Sequence, residues 1–340
     1  MHMADALLSP AVGGTMWAVS AGAIIYCSRK LRKEMDTGKA PLMGVLGAFI
    51  FAAQMINFTI PATGSSGHLG GGLLLAVLLG PAAAFITIAS VLVVQALFFA
   101  DGGLLALGCN IFNLGFFPAF LAYPLVYKPL AGSAPSKGRI AVAAMLAAIL
   151  GLQMGALAVV LETVASGISS LPFATFVSLM QPIHLAIGVV EGLVTGAVIF
   201  FVFQARPEII ESVQANRPLG AASVRNVLAA ILAVALLTGG VVSWFASERP
   251  DGLEWAIAKA TGGDELATKK DGLHARLAAL QKAVAFLPEY TFEKTEQRPG
   301  NGAEQEGSLG TSLAGIVGGL LALVIAFLAG SLLRKKDRMV

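Results

Sequence analysis

The sequence predicts an all-α integral membrane protein of about nine transmembrane helices. Three observations carry this. Only 13% of its 340 residues are charged and 56% are hydrophobic, whereas a soluble domain is charged at roughly 25% of positions. Apolar runs of the about 20 residues that a spanning helix needs recur along the chain. The alternating ~10-residue segments of a membrane barrel are missing.

Judged by span length, the helices fall at 10–27, 41–58, 69–80, 82–99, 104–126, 139–165, 183–204, 224–246 and 309–333. Pro10 suits the start of the first, and Gly13, Gly14, Ala18, Ala21, Gly22 and Ala23 let a neighbour pack closely on it. No basic, apolar and small-residue pattern of a cleavable signal precedes it, and His2 is not small, so Met1 is expected to stay. The third run, "HLGGGLLLAVLLG", is short. "GP" at 80–81 and "DGG" at 101–103 supply two breaks between the loop near residue 60 and Lys128, which makes three crossings. Cys27 and Cys109 lie in apolar runs without a CxxC pair and read as buried free thiols.

Charge sets the orientation. "SRKLRKEMDTGK" (28–39), the group Lys128, Lys137 and Arg139, the group Arg206, Arg217 and Arg225, and the tail "RKKDR" mark four cytoplasmic clusters. The other basic residues fall between Arg249 and Arg298, in a long polar stretch to which the positive-inside rule does not apply. The N-terminus is then outside and the C-terminus inside. Residues 1–220 form a seven-helix bundle. Residues 221–340 form a two-helix segment around an extracytoplasmic domain at about 247–308, in which Glu248, Asp251, Glu254, Lys259, Asp264 and Glu265 are expected to be solvated.

On that topology His2 and His68 share the outer face. A free α-amine, the amide nitrogen of residue two and the Nδ1 of His2 form fused five- and six-membered chelate rings. The amide must lose its proton, which Ni(II) and Cu(II) can force, and both accept square-planar nitrogen donors. Met1 and His2 supply three corners and His68 can supply the fourth. The residue types leave a second reading open, an unengaged imidazole at a chain end and another in a loop.

Gln54, Asn57, Ser65, Ser66 and Asp101, near the outer helix ends, could orient the imidazoles, as ligating histidines require. His184 and Glu191 are seven apart on one helix face and could form an intramembrane polar pair, a proton relay, or bonds to Glu162 or Gln153. Asn110 and Asn113 could pair between helices. His274 with nearby carboxylates is a further conceivable metal trap. No phosphate-binding G-x-x-x-x-G-K-[ST] and no H-E-x-x-H occur.

"MHMADALLSP", "QMINFTIPATGSSGHLGGGLL" and "LFFADGGLLALGCNIFNLGF", in that order, resemble the substrate-binding component of nickel/cobalt energy-coupling-factor transporters, of the NikM/CbiM type, over residues 1 to about 220. The opening keeps the family's histidine and Asp5 but lacks its proline and glycine. "PDGLEW" resembles the marker of the NikN-type accessory subunit, fused here. The resemblance implies metal binding by Met1, His2 and His68. It also implies high-affinity capture of Ni(II) as cargo with no prosthetic group, in a bacterial cytoplasmic membrane. The partners would be separate chains, a transmembrane coupling subunit and two ATP-binding-cassette ATPases, docking on a face such as Gly14, Ala18 and Gly22. The chain would contact membrane lipid, bind no nucleic acid and catalyse no reaction. Square-planar nitrogen coordination favours nickel over cobalt. Cobalt uptake, a self-powered metal/proton antiporter using Glu191 and His184, and a metal sensor are the rivals.

Overall fold

The computed structural model describes residues 2–34, 38–132, 136–169, 171–215, 217, 219, 224–262, 272–292 and 302–333, with backbone alone for 302–308. It is mostly helical. Among the described residues six helices are long and apolar enough to cross a membrane: α1 (Pro10–Glu34), α4 (Pro81–Phe98), α5 (Leu107–Ala131), α6 (Lys137–Ser166), α7 (Phe173–Ala205) and the Leu309–Leu333 part of α12 (Gly302–Leu333). Two shorter apolar helices, α2 (Lys39–Gln54) and α9 (Arg225–Gly240), join them.

Helix α1 buries one narrow stripe, Gly13, Ser20, Cys27 and Leu31. It leans on α5 through Ser20, whose hydroxyl donates to Gly108 O at 2.6 Å. Gly108 is needed there, because a Cβ would lie 2.5 Å from the Trp17 nitrogen. Gly14, Ala18 and Gly22 face outward and are exposed.

Helix α2 ends before its expected limit of 58. Residues Phe58–Ile60 and Ser65–Gly67 instead form a small antiparallel pair, β1 and β2, in the register Phe58 with Gly67, Thr59 with Ser66 and Ile60 with Ser65. Pro61 and the left-handed Ala62 and Gly64 turn the chain between them.

The third expected span is an eight-residue helix, α3 (Gly72–Leu79), buried throughout. Eight residues reach about 12 Å, well short of a hydrocarbon core of about 30 Å. The irregular backbone leading to it is enclosed by protein at Ser65–His68, Gly70 and Gly71, the setting in which unpaired main chain is tolerated at membrane depth.

Helix α5 winds more widely than an α-helix from Phe112 to Tyr127, where Pro118 and Pro124 remove N–H donors from the ladder. Helix α7 starts at Phe173 rather than 183 and runs through Pro182. Neighbouring helices make an interior proline acceptable: Gln153 and Gln181 reach across from α6 and α7 to each other's main chain, at 2.8 and 3.3 Å.

The C-terminal helices are part of the core. Helices α9 and α12 both pack on α2, which is why α2 is apolar on every side. They cross each other at Gly239 and Gly315, where a Cβ on Gly239 would lie 3.1 Å from the Gly315 Cα. The polar stretch between them folds over the end of the bundle that carries the β1–β2 hairpin, as α10 (Gly252–Thr261), α11 (Gly272–Val284) and a turn at Pro288–Tyr290, while the short α8 (Pro207–Gln214) lies between α7 and α9. Asp251 and Glu254 cap α10 reciprocally.

Candidate metal site

Three loops converge at one end of the bundle. The N-terminal segment ends in a single 3₁₀ turn at Asp5–Leu7. Main-chain bonds tie it down: Met3 N donates to Asn110 Oδ1 at 2.8 Å, Asn110 Nδ2 returns to Met3 O at 3.3 Å, and Gly103 N donates to the same oxygen at 2.9 Å. The Asp5 carboxylate accepts from Ala106 N at 3.0 Å. Burial raises the pKa of Asp5, and the backbone donors around it oppose that shift. His2 is thereby delivered beside the loop at 99–106.

The second loop carries His68. Glu191 on α7 accepts from Gly70 N at 2.7 Å and Gly71 N at 3.0 Å. Gln54 donates to Gly70 O at 2.9 Å and accepts from Gln95 at 2.9 Å. These bonds fix the main chain just after His68.

The two imidazoles meet. Their ring centroids are 4.8 Å apart and their planes differ by 18°. Two imidazoles on adjacent corners of one ion, each at a metal–nitrogen distance of about 2 Å, would place their centroids about 4.5 Å apart. His68 Nδ1 lies 3.1 Å from Leu69 O. A carbonyl only accepts, so Nδ1 carries the proton and Nε2 keeps the lone pair that a metal needs. Burial holds the His68 pKa down near 3.

His2 Nδ1, the nitrogen required by the chelate, lies 2.8 Å from Asp101 Oδ1, while His2 Nε2 is buried without a hydrogen-bond partner. Chelation through Nδ1 therefore exchanges Asp101 for the ion, and a turn of the ring about its Cβ–Cγ bond would do this. Burial works to raise the Asp101 pKa. His2 and the Tyr290 hydroxyl, which donates to Asp101 Oδ2, outweigh it and bring the value to about 2.

Met1 lies outside the described residues. Among the described residues no group of three or more His, Cys, Asp and Glu side chains is arranged to hold a metal. A site here must draw on main-chain nitrogen, as the chelate does.

Of the residues expected to orient the imidazoles, Asp101 touches one. The hydrogen bonds of Gln54 go to Gly70 and Gln95. Ser65 Oγ donates to Ser66 O at 3.0 Å, and Asn57 O accepts from Ser247 N at 2.6 Å. Ser66 Oγ donates to Arg249 O at 2.7 Å. His184 and Glu191 do not form a pair. His184 Nδ1 bonds Met180 O of its own helix at 2.8 Å, Glu191 holds the loop, and Glu162 takes Asn113 at 2.8 Å. His274 is no metal trap, since its Nε2 is 2.8 Å from Leu8 O and the side chain is buried. Asp251 is half-buried beside His68, not solvated. Sequence reasoning missed Asn110 as the anchor of Met3, and missed Tyr290 and Gln281. No local spacing announces them.

Comparison with known proteins agrees with this architecture. The family described as "cobalt uptake substrate-specific transmembrane region" matches residues 2–209, and the PDGLE domain matches residues 225–335. A putative fused nickel transport protein of Archaeoglobus fulgidus is 32% identical over 96% of this chain and 97% of its own length. A fused nickel transport protein of Rhodobacter capsulatus is 29% identical over 96% and 95%. A crystal structure of a truncated transition metal transporter superposes with a TM-score of 0.54 at 30% identity, covering 60% of this chain and 99% of that one.

Proposed function

The chain belongs to the cobalt uptake substrate-specific transmembrane family, with a PDGLE domain fused to it, and from that premise we propose that it captures Ni(II) at the outer membrane face as the substrate-specific component of an ATP-driven transporter. It is a multi-pass membrane protein of a metal-transport family. The observation that carries the reading is the approach of His2 to His68 at 4.8 Å, across 65 intervening residues.

In this reading the α-amine of Met1, the deprotonated amide of His2 and its Nδ1 take three corners, and His68 Nε2 takes the fourth. Four nitrogens in a square suit Ni(II) better than Co(II). The lost amide proton leaves the bound site near +1, which suits a largely buried location better than a bare dication would.

Nine segments cross the membrane, the third as the short α3 together with the protein-enclosed backbone that leads to it, with the N-terminus outside and the C-terminus in the cytoplasm of a bacterial cell. Residues 1–220 form the metal-binding bundle. Residues 221–340 form the accessory segment, with 247–308 extracytoplasmic. A coupling subunit and two ATPases, carried on other chains, drive transport. The exposed stripe of Gly14, Ala18 and Gly22, with open space around both glycines, supports a docking role for α1. Glu191 and His184 are engaged with main chain, which argues against a proton relay through them.

The test pairs binding with uptake. Equilibrium binding to the purified, untagged protein should favour Ni(II) over Co(II) and give a diamagnetic, yellow nickel form. Cells should accumulate nickel only when the ATPase subunits are present. Accumulation without them would overturn the ATP-driven reading, and a preference for cobalt would reassign the cargo.

A further inference from the structure

The accessory segment bonds every loop that builds the metal site. The β1–β2 hairpin is held at Ser66, whose N donates to Pro250 O at 2.8 Å, and at Thr63, whose carbonyl accepts from Trp255 Nε1 at 2.9 Å. The 99–106 loop is held by Gln281, which donates to Gly102 O at 2.7 Å, and by Glu289 N, which donates to Phe99 O at 2.8 Å. The N-terminal segment is held by His274 at Leu8.

Two accessory side chains reach further in. Tyr290 donates to Asp101, the carboxylate that receives His2 Nδ1, so an unbroken line of bonds runs from the accessory segment to a ligand ring. Glu289 and Tyr290 are consecutive non-glycine residues in the left-handed region, at φ 52° and 62°. Such a conformation persists only where the surroundings impose it, and Tyr290 is clamped by stacking on Phe99, centroids 5.1 Å apart and planes 19° apart. Asp251 lines one small cavity together with Gly67, His68, Gly70 and His184. Its neighbour Gly252 seats against α7 so closely that a Cβ would lie 2.5 Å from Ile183 Cγ2. Asp251 Oδ1 accepts from Leu253 N at 2.9 Å and Glu254 N at 2.8 Å, which fixes the carboxylate at the start of α10.

We propose that the accessory segment is the lid of the metal site and that two of its residues tune the bound ion, Tyr290 by holding the Asp101 carboxylate at the rim of the site and Asp251 by placing a carboxylate beside His68. This rests on the site reading above. Closing the lid brings two carboxylates to the rim of a buried cation, where their charge acts at low dielectric. It also seals the exit, so the lid sets how slowly the ion leaves.

The experiment measures release of Ni(II) from the full-length protein in detergent to an excess of chelator, beside its absorption spectrum. Tyr290→Phe keeps the aromatic stack and removes the hydroxyl. Asp251→Asn keeps a good helix cap and removes the charge. Each should release nickel at least fivefold faster, and Tyr290→Phe should shift the ligand-field band because the Asp101 carboxylate is no longer held at the rim of the ion's site. Asp251→Glu, which returns the charge, should recover most of the slow release. His2→Ala is the control for the site itself and should abolish binding. Wild-type release in both lid variants, with binding lost in His2→Ala, would overturn the lid and leave the site standing. Undiminished binding in His2→Ala would overturn the site reading itself.

Discussion

The His2 ring has two partners competing for one nitrogen. Asp101 holds Nδ1 in this structure, and the proposed chelate needs the same atom. Capture is therefore an exchange in which the amide and amine also give up protons, so binding should release protons and weaken as pH falls; titration calorimetry in buffers of different ionisation enthalpy would count them. His68→Ala should leave the fold intact and weaken nickel binding at least tenfold, about 1.4 kcal/mol, with equal affinity refuting the assignment. One extra residue before Met1 turns the amine into an amide and should abolish binding, whereas a C-terminal tag should not. At this scale the pairing of His2 with His68 was legible, because histidine is scarce in the chain and topology put both on one face. Asp101 was legible by its position at a helix end. Asn110, Tyr290 and Asp251 were not, because nothing in a sequence says which main-chain oxygen or distant carboxylate a polar side chain will find.

At the scale of elements, the loop bearing His68 is fixed by one carboxylate on another helix. Glu191→Ala would leave the Gly70 and Gly71 N–H groups without acceptors inside the protein, at about 1–3 kcal/mol each, and should lower the melting temperature and the metal affinity together. Glu191→Gln should retain uptake per folded molecule, since the group acts here as an anchor. Loss of uptake in a folded, metal-binding Glu191→Gln protein would restore the proton-coupled alternative. The crossing of α9 and α12 is equally tight, and Gly315→Leu should destabilise by about 1–3 kcal/mol through overpacking, read by thermal unfolding in detergent. The long helices were legible from hydropathy alone. The boundaries failed where local signals competed with packing. The span placed at 183–204 by length starts ten residues earlier, because cross-helix contacts accept Pro182 inside the helix, and 55–58 was read as helix although the chain leaves the helix after Gln54 and enters a strand at Phe58. The third segment was read as a helix over 69–80, and the helix begins only at Gly72 because Gly70 and Gly71 before it keep an irregular backbone.

At the scale of the molecule, the relatives named as fused nickel transport proteins match nearly the whole chain, and the truncated crystal structure corresponds to 60% of it. The two-part organisation was legible from "PDGLEW" and from the return to an apolar run after residue 308. The intimacy of the parts was not, because composition describes the accessory domain as polar and says nothing of what it covers.

That intimacy has a consequence in time. His274 bonds Leu8 across 266 positions, and Gln281 bonds Gly102 across 179. A ribosome adding roughly 5–20 residues per second delivers His274 on the order of 10–50 s after Leu8. For most of that interval, from the addition of His68 onward, the newborn chain has both imidazoles but no cover above them. In a pulse-chase experiment the N-terminal segment should resist proteolysis only once residues beyond 272 have been made. Completion of synthesis and closure of the site are then a single event, and a polypeptide interrupted late in translation stays open to the medium at the position where the finished one is sealed.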